Sequence, residues 1–98
     1  MSISKNAAMR LRKVYSVNDL ARESFGDPFC DYNETVLRQG LASSLQKTRK
    51  ENPESVMITC PQQFVVYEIG EWDDFCGTIH LLPNMRRLFS YEEVLNGN

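Results

Sequence analysis

The chain has 98 residues, 42% of them hydrophobic and 24% charged, with a formal net charge of −2. That composition describes one soluble globular domain with one modest core and leaves no room for a second. No stretch approaches the roughly 20 consecutive apolar residues of a membrane span, and the first residues lack the apolar segment of a secretory signal, so a cytoplasmic protein is expected.

The charge is unevenly placed. Lys5, Arg10, Arg12 and Lys13 make the N-terminus purely basic, Lys47, Arg49 and Lys50 form a second cluster, and Glu68, Glu71, Asp73 and Asp74 stand against them. Such asymmetry suits one face that attracts phosphate and another that repels it, although charged runs are most often simply solvated.

Residues 1–10 are small and polar and read as a flexible basic arm, with a single α+β domain over 11–98. Alternation of polar and β-favouring residues over 13–17 predicts a strand, with Val14 and Tyr15 on opposite faces. Asn18 or Asp19 can cap a short helical turn through Leu20, Ala21 and Phe25 that ends at Gly26. A brief extended piece over 29–32 leads to Asn33, a helix cap. Leu37, Leu41, Leu45 and Thr48 then recur every three to four residues, predicting an amphipathic helix over 34–50. Val56, Met57 and Ile58 read as a short strand or buried extended segment, followed by a turn at Pro61. Residues 64–72 and 77–82 read as a hairpin around a polar tip. Ser90-Tyr91-Glu92-Glu93 has the capping-box pattern of a short terminal helix.

The chemistry offered by the residues is thin. Glu71, Asp73 and Asp74 could ligate a hard cation, but alternation turns Asp74 away from the other two, and no distant acidic motif completes a site. Cys30, Cys60, Cys76 and His80 are a possible zinc inventory without the closely spaced pairs of a zinc knuckle. An odd cysteine count without a C-x-x-C pair does not resemble a disulfide framework, so the thiols are expected reduced, as small buried apolar groups. No phosphate-binding glycine loop or nucleophile elbow is present. The expectation is a noncatalytic protein with no cofactor and no metal. Single-stranded nucleic acid is the better candidate ligand, because Arg10, Arg12 and Lys13 lead into a strand bearing Tyr15, and Tyr67 and Trp72 lie on or beside the main hairpin, although Phe25, Phe29, Phe64 and Tyr67 taken singly read as core aromatics.

Two blocks carry a family resemblance. Lys13-Val14-Tyr15-Ser16-Val17-Asn18-Asp19, with Ala21, Glu23-Ser24-Phe25 and Pro28-Phe29, is similar to the opening of the small nonstructural protein of gokushoviruses, Microviridae phages with circular single-stranded DNA genomes. Pro61, Phe64, Tyr67-Glu68-Ile69-Gly70-Glu71-Trp72-Asp73-Asp74 and Gly77 resemble that family's pattern of a proline, an aromatic, a "YEIGEFDD" run and a glycine. The resemblance implies a nonstructural protein acting in viral DNA replication or single-stranded genome synthesis, in the cytoplasm of the infected bacterial host. It supplies no catalytic residue.

The resulting expectation is an α+β fold: a small, mainly antiparallel sheet over 13–17, 64–72 and 77–82, with the helix across one face and Leu37, Leu41 and Leu45 meeting Val14, Val66 and Ile69. Single-stranded DNA would meet Arg10, Arg12, Lys13, Lys47, Arg49 and Lys50 through phosphate, with Tyr15 or Trp72 stacking a base. The alternative is a protein-interaction module that modulates a host or phage replication or assembly protein. A homodimer through the exposed sheet edges is a further expectation.

Overall fold

The computed structural model describes residues 11–97, so the expected basic arm, Arg10 included, lies outside the described residues. The fold is α+β. β1 (Leu11–Asp19) is longer than the alternation suggests and turns at residues 20–23 into β2 (Ser24–Phe25), a two-residue strand. β1 then pairs with β3 (Phe29–Asp31) as well. No helix forms after Asn18 and Asp19. Asn18 pairs with Phe25 and Asp19 with Ser24, and the Asp19 carboxylate accepts from the Arg22 amide at 3.3 Å, so the capping chemistry closes a turn instead. Glu23 takes a positive φ of 53° to complete it, a conformation that L residues adopt at some cost.

Asn33 caps α1 (Glu34–Glu51) by accepting from the Val36 amide at 2.9 Å, a contact worth about 1 kcal/mol. Glu34 complements the positive end of the helix, and Arg49 and Lys50 the negative end. After Pro53, the segment expected to be extended is a single helical turn, α2 (Val56–Thr59), because Ser55 caps it through the Met57 amide and Cys60 closes it onto the Val56 carbonyl. A 3-10 turn at Pro61–Gln63 leads into β4 (Phe64–Asp73). β5 (Thr78–Ser90) returns antiparallel and runs eight residues beyond the expected end at 82. α3 (Tyr91–Leu95) follows directly, with the Ser90 hydroxyl accepting from the Glu93 amide at 3.2 Å as the capping box requires.

The sheet order is β2-β1-β4-β5, with β3 beside β2 on β1. Three irregularities divide it. Between Val66 and Tyr67 the β4–β5 register slips past Leu88. Between Glu68 and Gly70 the β1–β4 register slips, leaving Ile69 unpaired as a bulge. At the same height β5 loses β4 entirely: Glu68 pairs with Arg86 and Gly70 with Leu81, so residues 82–85 bulge out. Pro83, which has no amide hydrogen to offer a ladder, sits in that gap. Gly70 lets the strands close again, since a Cβ there would stand 2.5 Å from the His80 carbonyl oxygen.

The core lies on one side of the inner half of this sheet. Tyr15, Val66 and Phe89 meet Leu37 and Leu45 of α1 and Tyr91 and Val94 of α3, with Val17, Leu41, Met57 and Phe64 at the margin. Of the expected sheet partners only Val66 belongs to this cluster. Val14 is buried on the opposite face, opposite Gly70, and Tyr15 takes its place under the helix. Ile69 is displaced by its bulge into a shallow depression of about 220 Å³ with Ser16, Phe25, Pro28 and Met85. Two of the three cysteines, Cys30 and Cys76, are exposed rather than buried. Among the described residues, no helix is long and apolar enough to cross a membrane.

Gly70→Ala is expected to destabilise by about 1–3 kcal/mol, because backbone rather than a mobile side chain blocks the new methyl. Gly40→Ala, in the middle of α1 with nothing within 4 Å of the new atom, should stabilise by about 0.5–1 kcal/mol. Urea unfolding of the two variants against the parent reads both signs.

Candidate nucleic-acid interface

Residues directly opposite in a ladder share a face, so the register sorts the sheet's side chains. On the helix side stand Lys13, Tyr15 and Val17 of β1, Phe64, Val66, Glu68, Glu71 and Asp73 of β4, and Thr78, His80, Arg86 and Phe89 of β5. The other side carries Arg12, Val14, Ser16 and Asn18; Val65, Tyr67, Gly70 and Trp72; and Ile79, Leu81 and Arg87. Among the described residues, no carboxylate holds a register position on this second face, and no helix covers it.

Every acid of the hairpin has a structural use. Asp73 organises the tip: its carboxylate accepts from the Phe75 amide at 3.0 Å and the Cys76 amide at 3.3 Å, and its carbonyl from Gly77 at 2.8 Å. Gly77 has the positive φ of 69° that closes the turn. Asp74 holds Arg12 at 3.2 Å, and Glu71 holds Lys13 at 3.0 Å. Glu68, only 5% exposed, takes two bonds from Arg86, the shorter at 2.7 Å, and lies 3.7 Å from Lys13. Arg86 also reaches Glu34 of α1 at 3.3 Å. Among the described residues, no three His, Cys, Asp or Glu side chains are grouped to hold a metal ion.

The residues singled out from the sequence therefore do not form one track. Arg12 and Trp72 are brought directly opposite each other on the open face. The Arg12 guanidinium also sits 5.2 Å from the Tyr32 ring centroid, and Tyr32 followed by Asp74 holds it charged. Lys13 points to the helix side into its two glutamates. Tyr15 is 0% exposed, beneath α1, so it cannot meet a base. Lys47, Arg49 and Lys50 occupy the last turns of α1. That helix starts beside Arg86 and passes Phe89, whose ring lies 5.2 Å from the Arg38 guanidinium. It thus runs along β5 away from the hairpin tip, and its basic end is remote from Arg12.

What the open face does assemble is a set of aromatics. Phe25 and Tyr67 meet edge to face with centroids 5.6 Å apart, beside Arg87, which is opposite Tyr67 and bonded to Glu93 at 2.6 Å. Trp72 and the exposed Tyr32 flank Arg12 further out. Tyr67 and Trp72 are five residues apart on one strand, about 16 Å. The centre of this face is closed, with Val14, Ser16 and Val65 buried. Around it stand half-buried aromatic platforms and two arginines paired, among the described residues, only with Asp74 and Glu93, an arrangement suited to splayed bases and their phosphates. From the sequence Tyr67 joins Trp72 as a candidate platform but reads, like Phe25, as a core aromatic, and Arg87 is not singled out; which of them reach this face depends on which side the helix takes.

Tyr15 has another consequence. Its buried hydroxyl has no hydrogen-bond partner, and its pKa is pushed up to about 12, first by burial and then by Glu68, Asp31 and Glu34. In the unfolded chain a tyrosine ionises near pH 10. The stability this shift represents is therefore complete below about pH 10 and is lost as pH rises toward about 12. Tyr15→Phe should flatten that alkaline fall, leaving the part due to Tyr91, also raised by burial. At neutral pH it should leave stability unchanged or raise it by about 1 kcal/mol, since an unsatisfied group is removed. Denaturant midpoints from pH 7 to 12 check both.

No curated protein and no solved structure matches the chain. A family profile described as Phage ORF5 protein matches residues 12–94, from β1 to α3. Since that match takes in β1, the bulged hairpin and the helix that covers it, the chain belongs to the Phage ORF5 protein family.

Proposed function

We propose that this phage protein is a noncatalytic accessory factor of viral DNA replication or single-stranded genome synthesis, of the gokushovirus nonstructural type, acting in the host cytoplasm by binding single-stranded DNA. The observation that carries the reading is the open face of the sheet, where Phe25, Tyr32, Tyr67 and Trp72 stand with Arg12 and Arg87 and no carboxylate holds a register position. Bases stack on Tyr67 and Trp72, while Arg12 and Arg87 meet phosphate in exchange for Asp74 and Glu93. Lys13, Lys47, Arg49 and Lys50 then serve helix ends and ion pairs, and Tyr15 serves the core.

A protein-interaction module is the second reading, favoured by one observation: the same face also exposes Ile79 and Leu81, which contribute nothing to phosphate binding.

Trp72 is the only tryptophan, so its fluorescence reports occupancy of the face directly. Titration with an oligothymidine at low salt should quench it, with an affinity that falls as salt rises. Tyr67→Ala should weaken binding by about 1–3 kcal/mol, the range for loss of one stacked base, and Arg12→Glu should reduce both affinity and salt dependence. The double variant Lys47→Glu/Lys50→Glu should bind like the parent. An oligonucleotide that leaves Trp72 unquenched, combined with a nuclease-resistant protein partner recovered from infected cells, replaces this reading by the second.

A further inference from the structure

The two edges of the sheet are unlike. On one side β1 is flanked by β2 and β3, two and three residues long; on the other, β5 runs for 13 residues with no strand beyond it among the described residues. A long bare edge presents unpaired amides and carbonyls to any other strand, and proteins usually blunt it with charge, proline or a bulge. The second part of β5 has all three: residues 82–85 bulge away from β4 with Pro83 among them, and Arg86 and Arg87 follow. The first part has none. Thr78, Ile79, His80 and Leu81, all paired with β4, and Leu82, where the excursion begins, include no Lys, Arg, Asp or Glu, and Ile79 and Leu81 are 53% and 72% exposed.

We propose that residues 78–82 are the contact by which this chain pairs with a second copy of itself, antiparallel across a two-fold axis. The segment is self-complementary, as an isologous contact must be. An axis through His80 sets Ile79 of each copy against the partner's Leu81. Both lie on the open face, so the two large exposed apolar side chains of the segment cover each other. A neutral strand meets its own copy without repulsion, whereas it offers nothing to a strongly charged partner. Five residues of strand, about 17 Å long, give a contact of about 400 Å² per copy, roughly half that of a standard stable interface. The dimer is accordingly weak and depends on concentration. Formed this way, it joins two sheets into one, with the aromatics of both open faces on a single continuous surface.

The test needs no DNA, so its outcome is independent of the function proposed above. Sedimentation equilibrium from about 10 μM to about 1 mM, the range for contacts of this size, should show a mass rising from 11.3 kDa toward twice that value. Leu81→Lys, on a side chain that packs against little within its own chain, should keep its circular dichroism and remain monomeric. In hydrogen exchange, the β5 amides over 78–82 that do not bond β4 should be protected at high concentration and not at low. The proposal is overturned by a mass that stays monomeric throughout, by a dimer that Leu81→Lys leaves intact, or by a dimer in which those amides gain no protection.

Discussion

One carboxylate ties the molecule together. Glu68 lies on β4 at the height where the sheet passes from helix-covered to uncovered, and it gathers Arg86 from β5 and Lys13 from β1, while Arg86 carries the link on to Glu34 at the start of α1. Burying a carboxylate is costly unless it is paired and hydrogen-bonded, so these elements must meet in one arrangement for Glu68 to be tolerated. Arg86 and Lys13 remain open to solvent, which screens their attraction and keeps the net contribution of the cluster modest. Its effect is on register more than on stability: two of the three irregularities of the sheet, the Ile69 bulge and the 82–85 excursion, begin immediately beyond the Glu68–Arg86 pair, and the third, at Leu88, lies just before it.

Beyond that point the sheet continues as an arm of β1, β4 and β5, joined at its inner end by β3 through Lys13 and Val14. One of its faces is charged and self-neutralised, with Lys13 against Glu71; the other combines Arg12 and Trp72 with Ile79 and Leu81. A single core therefore supports a surface with two characters. The acids that draw attention in the sequence shape the tip and hold the arginine in place. Ligand contact falls to the side chains between them.

Periodic and capped elements were legible in the sequence. α1 announced itself through the spacing of Leu37, Leu41 and Leu45 and the Asn33 cap, the hairpin through Asp73 and Gly77, and α3 through Ser90 and Glu93, because in each case the deciding interaction is local. The misread segments depend on partners distant in the chain. Asp19 does cap an amide, but pairing of Asn18 with Phe25 makes the result a turn between strands. Val56-Met57-Ile58 has strand composition, yet Ser55 and the approach of α1 bend it into a helical turn. The second hairpin strand is expected from the sequence to end at 82, and β5 runs on past Pro83 because β4 makes no demand there. The candidate site was half legible: Arg12 and Trp72 are juxtaposed, while Tyr15 is lost to the core, since nothing in β1 alone says which of its faces α1 will choose.

The bulge at Ile69 also acts as a counter. Phe64, Val66 and Glu68 alternate toward α1, and by simple parity Gly70 and Trp72 would follow them. One unpaired residue reverses the phase, so Trp72 emerges beside Tyr67 and Glu71 joins Glu68. The one extra residue, more than the identity of its neighbours, thus decides which side of the arm is acidic and which is aromatic. Regular pairing with every residue retained would carry Trp72 to the face of Glu68 and Glu71 to the face of Tyr67, whereas deletion of one residue would close the bulge and leave both faces as they are. The interval is therefore built to tolerate the loss of a residue better than a straightening of its pairing.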